Sequence, residues 1–201
     1  FDKADKIVRA SARAKDGKWN VEFSPSKDAA AEAGGAEVWA VDFNGRSMNL
    51  PLGSPVPVSN VSAKGTMTGD TMTFPQVEVK LLEGTANGSL KVDWKAGVTV
   101  SSEFTAEKIK VDQLTDVFTR DISLAGRLEG QFTLQSSGPS VGEVLDRPAI
   151  QGNFLVKEGA VGNIDLVQAM RPPGSVGGQS KFADLSGQLR VADGVIQVRA
   201  T

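Results

Sequence analysis

The chain has 201 residues, a formal net charge of −2 and 23% charged side chains, so it lacks the basic footprint of a nucleic-acid binder. It contains no Cys and no His, which excludes disulfides, thiolate metal sites, and Ser-His or Cys-His catalysis. No run of about 18 apolar residues is present, so no segment reads as a membrane-spanning helix.

What remains is a repeated stencil of alternating strands and tight turns. Ile7–Phe23 is its first copy: Ala10, Ala12 and Ala14 alternate with Arg9, Ser11 and Arg13. A turn at Asp16-Gly17 sets Ala14 against Trp19, Ala12 against Val21 and Ala10 against Phe23. Pro25 and Gly34-Gly35 then flank an Ala-rich segment, 27–33, that fits either a short helix or a loop. In Glu37–Leu50, Trp39, Val41 and Phe43 share a face, and Asn44-Gly45 reads as the turn that returns Met48 and Leu50. Three prolines in Pro51–Pro57 predict a connection or a frayed edge.

Met67 and Met72 flank a turn at Gly69-Asp70, and Pro75 predicts a bulge between Phe74 and Val77. Leu90, Val92 and Trp94 lead into Lys95-Ala96-Gly97. A three-residue loop there keeps apolar residues together, pairing Val92 with Val100. Beyond Phe104 the apolar phase shifts, which predicts a bulge near Glu107-Lys108.

Three short helices are expected next. Asp112 is a candidate N-cap before Leu114, Val117 and Phe118. Ser140 and Glu143 fit a capping box. Asn163 is a candidate cap for Ile164–Met170. Strands fill the intervals at Ile122–Leu134 and Ile150–Val156, the latter turning at Glu158-Gly159 onto Val161. Ser180–Val198 is the clearest hairpin. Its Asp193-Gly194 turn sets Val191 against Ile196 and Leu189 against Val198. The last strand is expected to leave an open edge. The fold class is mainly β: an elongated, curved, mostly antiparallel sheet of successive hairpins with two or three short helices. It is read as one groove-like domain over residues 1–201. The start at Phe1, without Met or a signal-like segment, predicts a piece of a longer protein.

No catalytic residues, metal site or cofactor are expected. Asp112, Asp116, Asp121, Glu143, Asp146 and Asp165 fall at helix starts and turns, where carboxylates cap and favour the helix dipole. The apolar faces are the feature that asks for a function. They are long, and the helices look too few to cover them. A second sheet, the remainder of the protein or an apolar ligand would each complete the cover. Candidates for a lipid-lined groove are Leu90, Val92, Trp94, Val98, Val100, Phe104, Phe132, Leu134, Phe154, Val156, Leu189, Val191, Ile196 and Val198.

Residues Gly162-Asn163-Ile164-Asp165-Leu166, the glycines at 174, 177 and 178, Ser180-Lys181-Phe182-Ala183-Asp184-Leu185-Ser186-Gly187 and Val191-Ala192-Asp193-Gly194-Val195 together resemble the AsmA-like family of bacterial envelope proteins. Asn163 stands where that family often has Gly or Thr, and Ser180 where Thr is usual. The resemblance implies a periplasmic protein tethered to the bacterial inner membrane by a helix outside this stretch. It also implies a curved β-groove that binds or conducts phospholipid for outer-membrane assembly, with other envelope proteins as partners and no catalytic residues. The alternative is a structural or protein-interaction β-domain with a fully buried core and no lipid ligand.

Overall fold

Asp193 and Gly194 both adopt positive φ, 52° and 75°, as a two-residue hairpin turn requires. Val191 then faces Ile196 and Leu189 faces Val198. A computed structural model of the chain describes residues 9–26, 37–52, 54–118, 123–162 and 179–200. Among them the hairpin stencil extends into one open antiparallel sheet of 11 strands, each bonded to its neighbours in sequence.

The strands are β1 (Ala10–Arg13), β2 (Trp19–Pro25), β3 (Val38–Leu52), β4 (Ser54–Thr68), β5 (Thr71–Leu81), β6 (Gly84–Asp93), β7 (Val98–Lys110), β8 (Ser123–Gly138), β9 (Ile150–Gly162), β10 (Gln179–Ala192) and β11 (Val195–Ala200). Two short helices interrupt them: α1 (Val111–Phe118) after β7 and α2 (Val141–Asp146) after β8. The expected Ala-rich segment at 27–33, the helix at 164–170 and the Gly-rich loop at 174–178 lie outside the described residues.

Most registers follow the sequence pattern. Ala10 faces Phe23 and Ala12 faces Val21; Met67 faces Met72; Val92 faces Val100, with Gly97 at φ 94° closing the loop. Bulges fall between Phe74 and Val77 and between Ala106 and Ile109. Ser140 caps α2 by accepting from the Glu143 N–H at 3.3 Å. Asp112 lies inside the first turn of α1 rather than capping it. The first turn is also looser than expected. Only Gly17 has positive φ, and the ladder ends at Ala14 and Trp19, leaving a four-residue loop.

Two expected turns are strand interior instead. Asn44-Gly45 lies in the middle of β3, where Asn44 pairs with Asn20 and Ser62, and Gly45 with Trp19 and Val61. Strands on both sides satisfy its backbone, so nothing favours reversal. The glycine serves for its missing Cβ, which would meet the Met48 sulfur at 2.5 Å. Glu158-Gly159 likewise stays within β9, with Glu158 at φ 51° as an irregularity beside Gly126 of β8 at φ 134°. Val156 therefore faces Leu128 and Leu185, not Val161.

The prolines of 51–57 end up in strands. Pro51 faces Pro55 and Asn49 faces Pro57. This part of the β3–β4 hairpin projects past the pairing range of β2 and β5. Its outer N–H groups have no ladder to join, so prolines are tolerated.

The sequence carries no signal for the turn between β5 and β6. Leu82 and Glu83 both hold positive φ, 47° and 61°, a strained conformation for side chains of this size. Tertiary contacts hold it. Leu82 is buried in the main core cluster, and its carbonyl accepts from the Lys110 N–H at 3.0 Å. The Glu83 carboxylate accepts from Lys110 Nζ at 2.7 Å and from Gln113 Nε2 at 3.5 Å. The Lys110 hydrogen bond holds the Glu83 carboxyl below its ordinary value of 4.5. A lowered folded-state pKa gives stability that is present above the unfolded value and lost as pH falls through the folded one. Urea unfolding at neutral and acid pH is therefore expected to show a small acid-labile increment that Glu83→Gln removes. An identical pH dependence in both proteins would contradict the clamp.

β11 bonds only to β10 among the described residues, so its outer backbone edge is open. Concentration-dependent pairing of copies through β11 is expected in sedimentation equilibrium. A monomer at every concentration would count against it.

Candidate functional site

The sheet register lines up the candidate residues in rows that cross the strands. One row runs Leu90, Ser102, Leu134, Ile150, Val191, Ile196 from β6 to β11. The next runs Gly88, Phe104, Phe132, Gly152, Leu189, Val198. Residues two apart on a strand share a face, so the two rows form one apolar stripe without a charged side chain. Its one serine does not break it: Ser102 donates to the Ser89 carbonyl at 2.7 Å, and Ser136, opposite Val100 in the adjoining row, accepts from the Ala149 N–H at 2.8 Å.

Aromatic rings lie low on this face. Phe104 and Phe132 stack with centroids 5.4 Å apart. A Cβ on Gly152 would meet Phe132 Cδ1 at 2.5 Å, and one on Gly130 would meet Phe132 Cε2 at 2.8 Å. The ring thus covers two glycines of neighbouring positions. Phe182 occupies the space over Gly159 in the same way.

The helices flank the stripe, packing toward opposite ends of β7 and β8. α2 puts Val144 against Val100 and Leu134, and α1 packs Leu114 onto the cluster of Leu82, Ile109, Phe132 and Val156. α1 also touches β4, four strands from β8, and α2 touches β3, four strands from β7. Four strand spacings are about 19 Å in a flat sheet, while α1 is about 12 Å long. The sheet therefore bends around the helices with the apolar face inward.

Exposure varies along the stripe. Val100, Phe132, Leu134, Phe154 and Val156 are buried, at 1–9% exposure. Leu90, Val92, Val98, Phe104, Leu189 and Val191 are half-buried. Trp94, Ile196 and Val198 are exposed at 38%, 46% and 59%. The structure thus gathers the candidates on one face but covers its centre and opens it at the β11 side and at Trp94. Sequence reasoning missed Val144 as the lid on Val100, because a six-residue helix gives no pattern that says where it docks. It also missed that a depression of about 1180 Å³ is lined by the polar residues of the opposite face.

No group of three or more Asp or Glu is close enough to hold a metal among the described residues. No described helix is long and apolar enough to cross a membrane. No curated protein and no solved structure matches the chain. The AsmA family model matches residues 3–201. With an open antiparallel sheet and a match over essentially its whole length, the chain belongs to the AsmA family.

Proposed function

We propose that the chain is a non-enzymatic, periplasmic lipid-handling module whose apolar sheet face takes the acyl chains of a phospholipid, within a longer protein anchored in the inner membrane. The observation that carries this reading is the charge-free apolar stripe that crosses six strands and ends exposed at Ile196 and Val198. An apolar strip of this kind, left unsealed at one side, gains free energy by covering itself, at about 25 cal/mol per Å² buried. Family membership supports an envelope role.

A second reading has its own support. Burial of Val100, Leu134 and Phe154 beneath neighbours and α2 fits a sealed structural core. Trp94 separates the two, since it continues the alternation of Leu90 and Val92 and is exposed. Vesicles of phospholipid brominated along the acyl chain are expected to quench its fluorescence. The quenchable fraction should shrink in Trp94→Phe. Equal fluorescence with brominated and plain lipid would favour the sealed core.

A further inference from the structure

The depression on the polar face spans β6 to β11, about 24 Å across five strand spacings. Its side chains come from the two rows that flank Gly88, Phe104, Phe132, Gly152, Leu189 and Val198, and alternation turns those rows away from the apolar face. Six carboxamides stand there: Asn87, Gln131, Gln151, Asn153, Gln188 and Gln197. None of these side chains has a hydrogen-bond partner among the described residues. Two guanidiniums join them. Arg190 faces Gln197 and Arg199 faces Gln188, so the arginines are diagonal neighbours, about 7–8 Å apart. Among the described residues neither is in an ion pair, nor is Glu103, three strands away on β7.

The ion pairs among the described residues, Arg9–Glu22, Lys18–Asp16, Lys64–Asp42, Lys80–Glu78, Lys110–Glu83 and Lys157–Glu129, all lie outside the depression. Inside it, neutral groups that both donate and accept predominate, and neither arginine has an ion-pair partner among the described residues.

We propose that this depression binds an acidic oligosaccharide lying across the strands. A carboxamide offers a donor and an acceptor together, the complement of a sugar hydroxyl. The arginine pair offers forked donors to a carboxylate or phosphate on the same chain. The flanking rows bring only polar side chains, with Pro75 of β5 at one edge, so acyl chains find little there. An extended peptide would take the open backbone edge of β11 instead. The proposal stands independently of lipid binding on the other face.

The test is an NMR titration of the 15N-labelled chain with tetragalacturonic acid, with maltotetraose as the uncharged control. The side-chain NH2 signals of Gln131, Gln151 and Asn153 are expected to shift with the acidic sugar. Arg190→Ala with Arg199→Ala should weaken that binding about tenfold or more, the worth of a charge-assisted contact. Both positions are exposed, so the backbone amide spectrum should otherwise stay unchanged. Gln131→Ala with Gln151→Ala should weaken both sugars. Absence of shifts at millimolar sugar would overturn the proposal. So would binding that inorganic sulfate abolishes and the glutamine substitutions leave unaffected, since that is capture of an anion alone.

Discussion

Val156→Glu is expected to unfold the sheet. Val156 is 1% exposed, the most buried large side chain described, and it stands between Leu128 of β8 and Leu185 of β10. A carboxylate there leaves water without gaining a cation, since its cluster consists of Leu82, Ala106, Ile109, Val111, Phe132 and Phe154. The penalty is several kcal/mol, against a typical total stability of about 5–15 kcal/mol. Val156→Ala removes two methyl groups and should cost about 2 kcal/mol. Denaturant unfolding of both variants checks the contrast. A Glu variant that unfolds at the wild-type midpoint would show that the centre of the stripe is open to water.

Gly152→Ala should produce the second large effect, at a position where the substituted side chain is minimal. The new Cβ meets the Gln131 carbonyl oxygen and the edge of Phe132, whose Cδ1 is 2.5 Å away. The neighbouring backbone is one of the obstacles, so a rotamer change alone cannot relieve the clash. Either the β8–β9 ladder opens or the ring lifts off the sheet and loses its stack on Phe104. Overpacking of this kind costs about 1–3 kcal/mol. Phe132→Leu in the same chain should recover part of that loss, because residues in contact are not additive. A double variant as unstable as the sum of the singles would assign the cost to the backbone alone.

The hairpins were legible where turn chemistry and alternation agreed. Asp193-Gly194, Gly69-Asp70 and Lys95-Ala96-Gly97 each sit between runs whose apolar residues match across the turn, and each is a turn. Bulges showed as slips in apolar phase, at Pro75 and at Glu107-Lys108. Asn44-Gly45 and Glu158-Gly159 misled because glycine has two uses in a sheet. It permits positive φ, and it leaves room above the backbone for a neighbour such as Met48 or Phe182. A dipeptide cannot distinguish them, since the neighbour comes from elsewhere in the register. The Leu82-Glu83 turn failed in the opposite direction. Its conformation is imposed by burial of Leu82 and by Lys110, neither of which is local.

The apolar stripe was legible one strand at a time, as alternation. Its continuity was not, because the row from Leu90 to Ile196 exists only once five registers are fixed. Nor did alternation distinguish Val100, which Val144 covers, from Val198, which nothing described covers. Burial along a row depends on where the two helices dock. The polar-face depression was hidden for a related reason: each strand contributes ordinary Gln, Asn and Arg residues, and only their alignment across strands makes a site.

Lipid mass spectrometry of the chain purified from bacterial membrane extract, wild type beside Ile196→Glu with Val198→Glu, tests lipid handling most directly. Both residues are exposed at the open side of the stripe, so hydrated carboxylates there should leave the unfolding midpoint of the same preparations near wild type. Phospholipid is expected bound to the wild type and lost from the variant. Wild-type chain free of lipid, or a folded variant carrying as much as wild type, would contradict lipid handling.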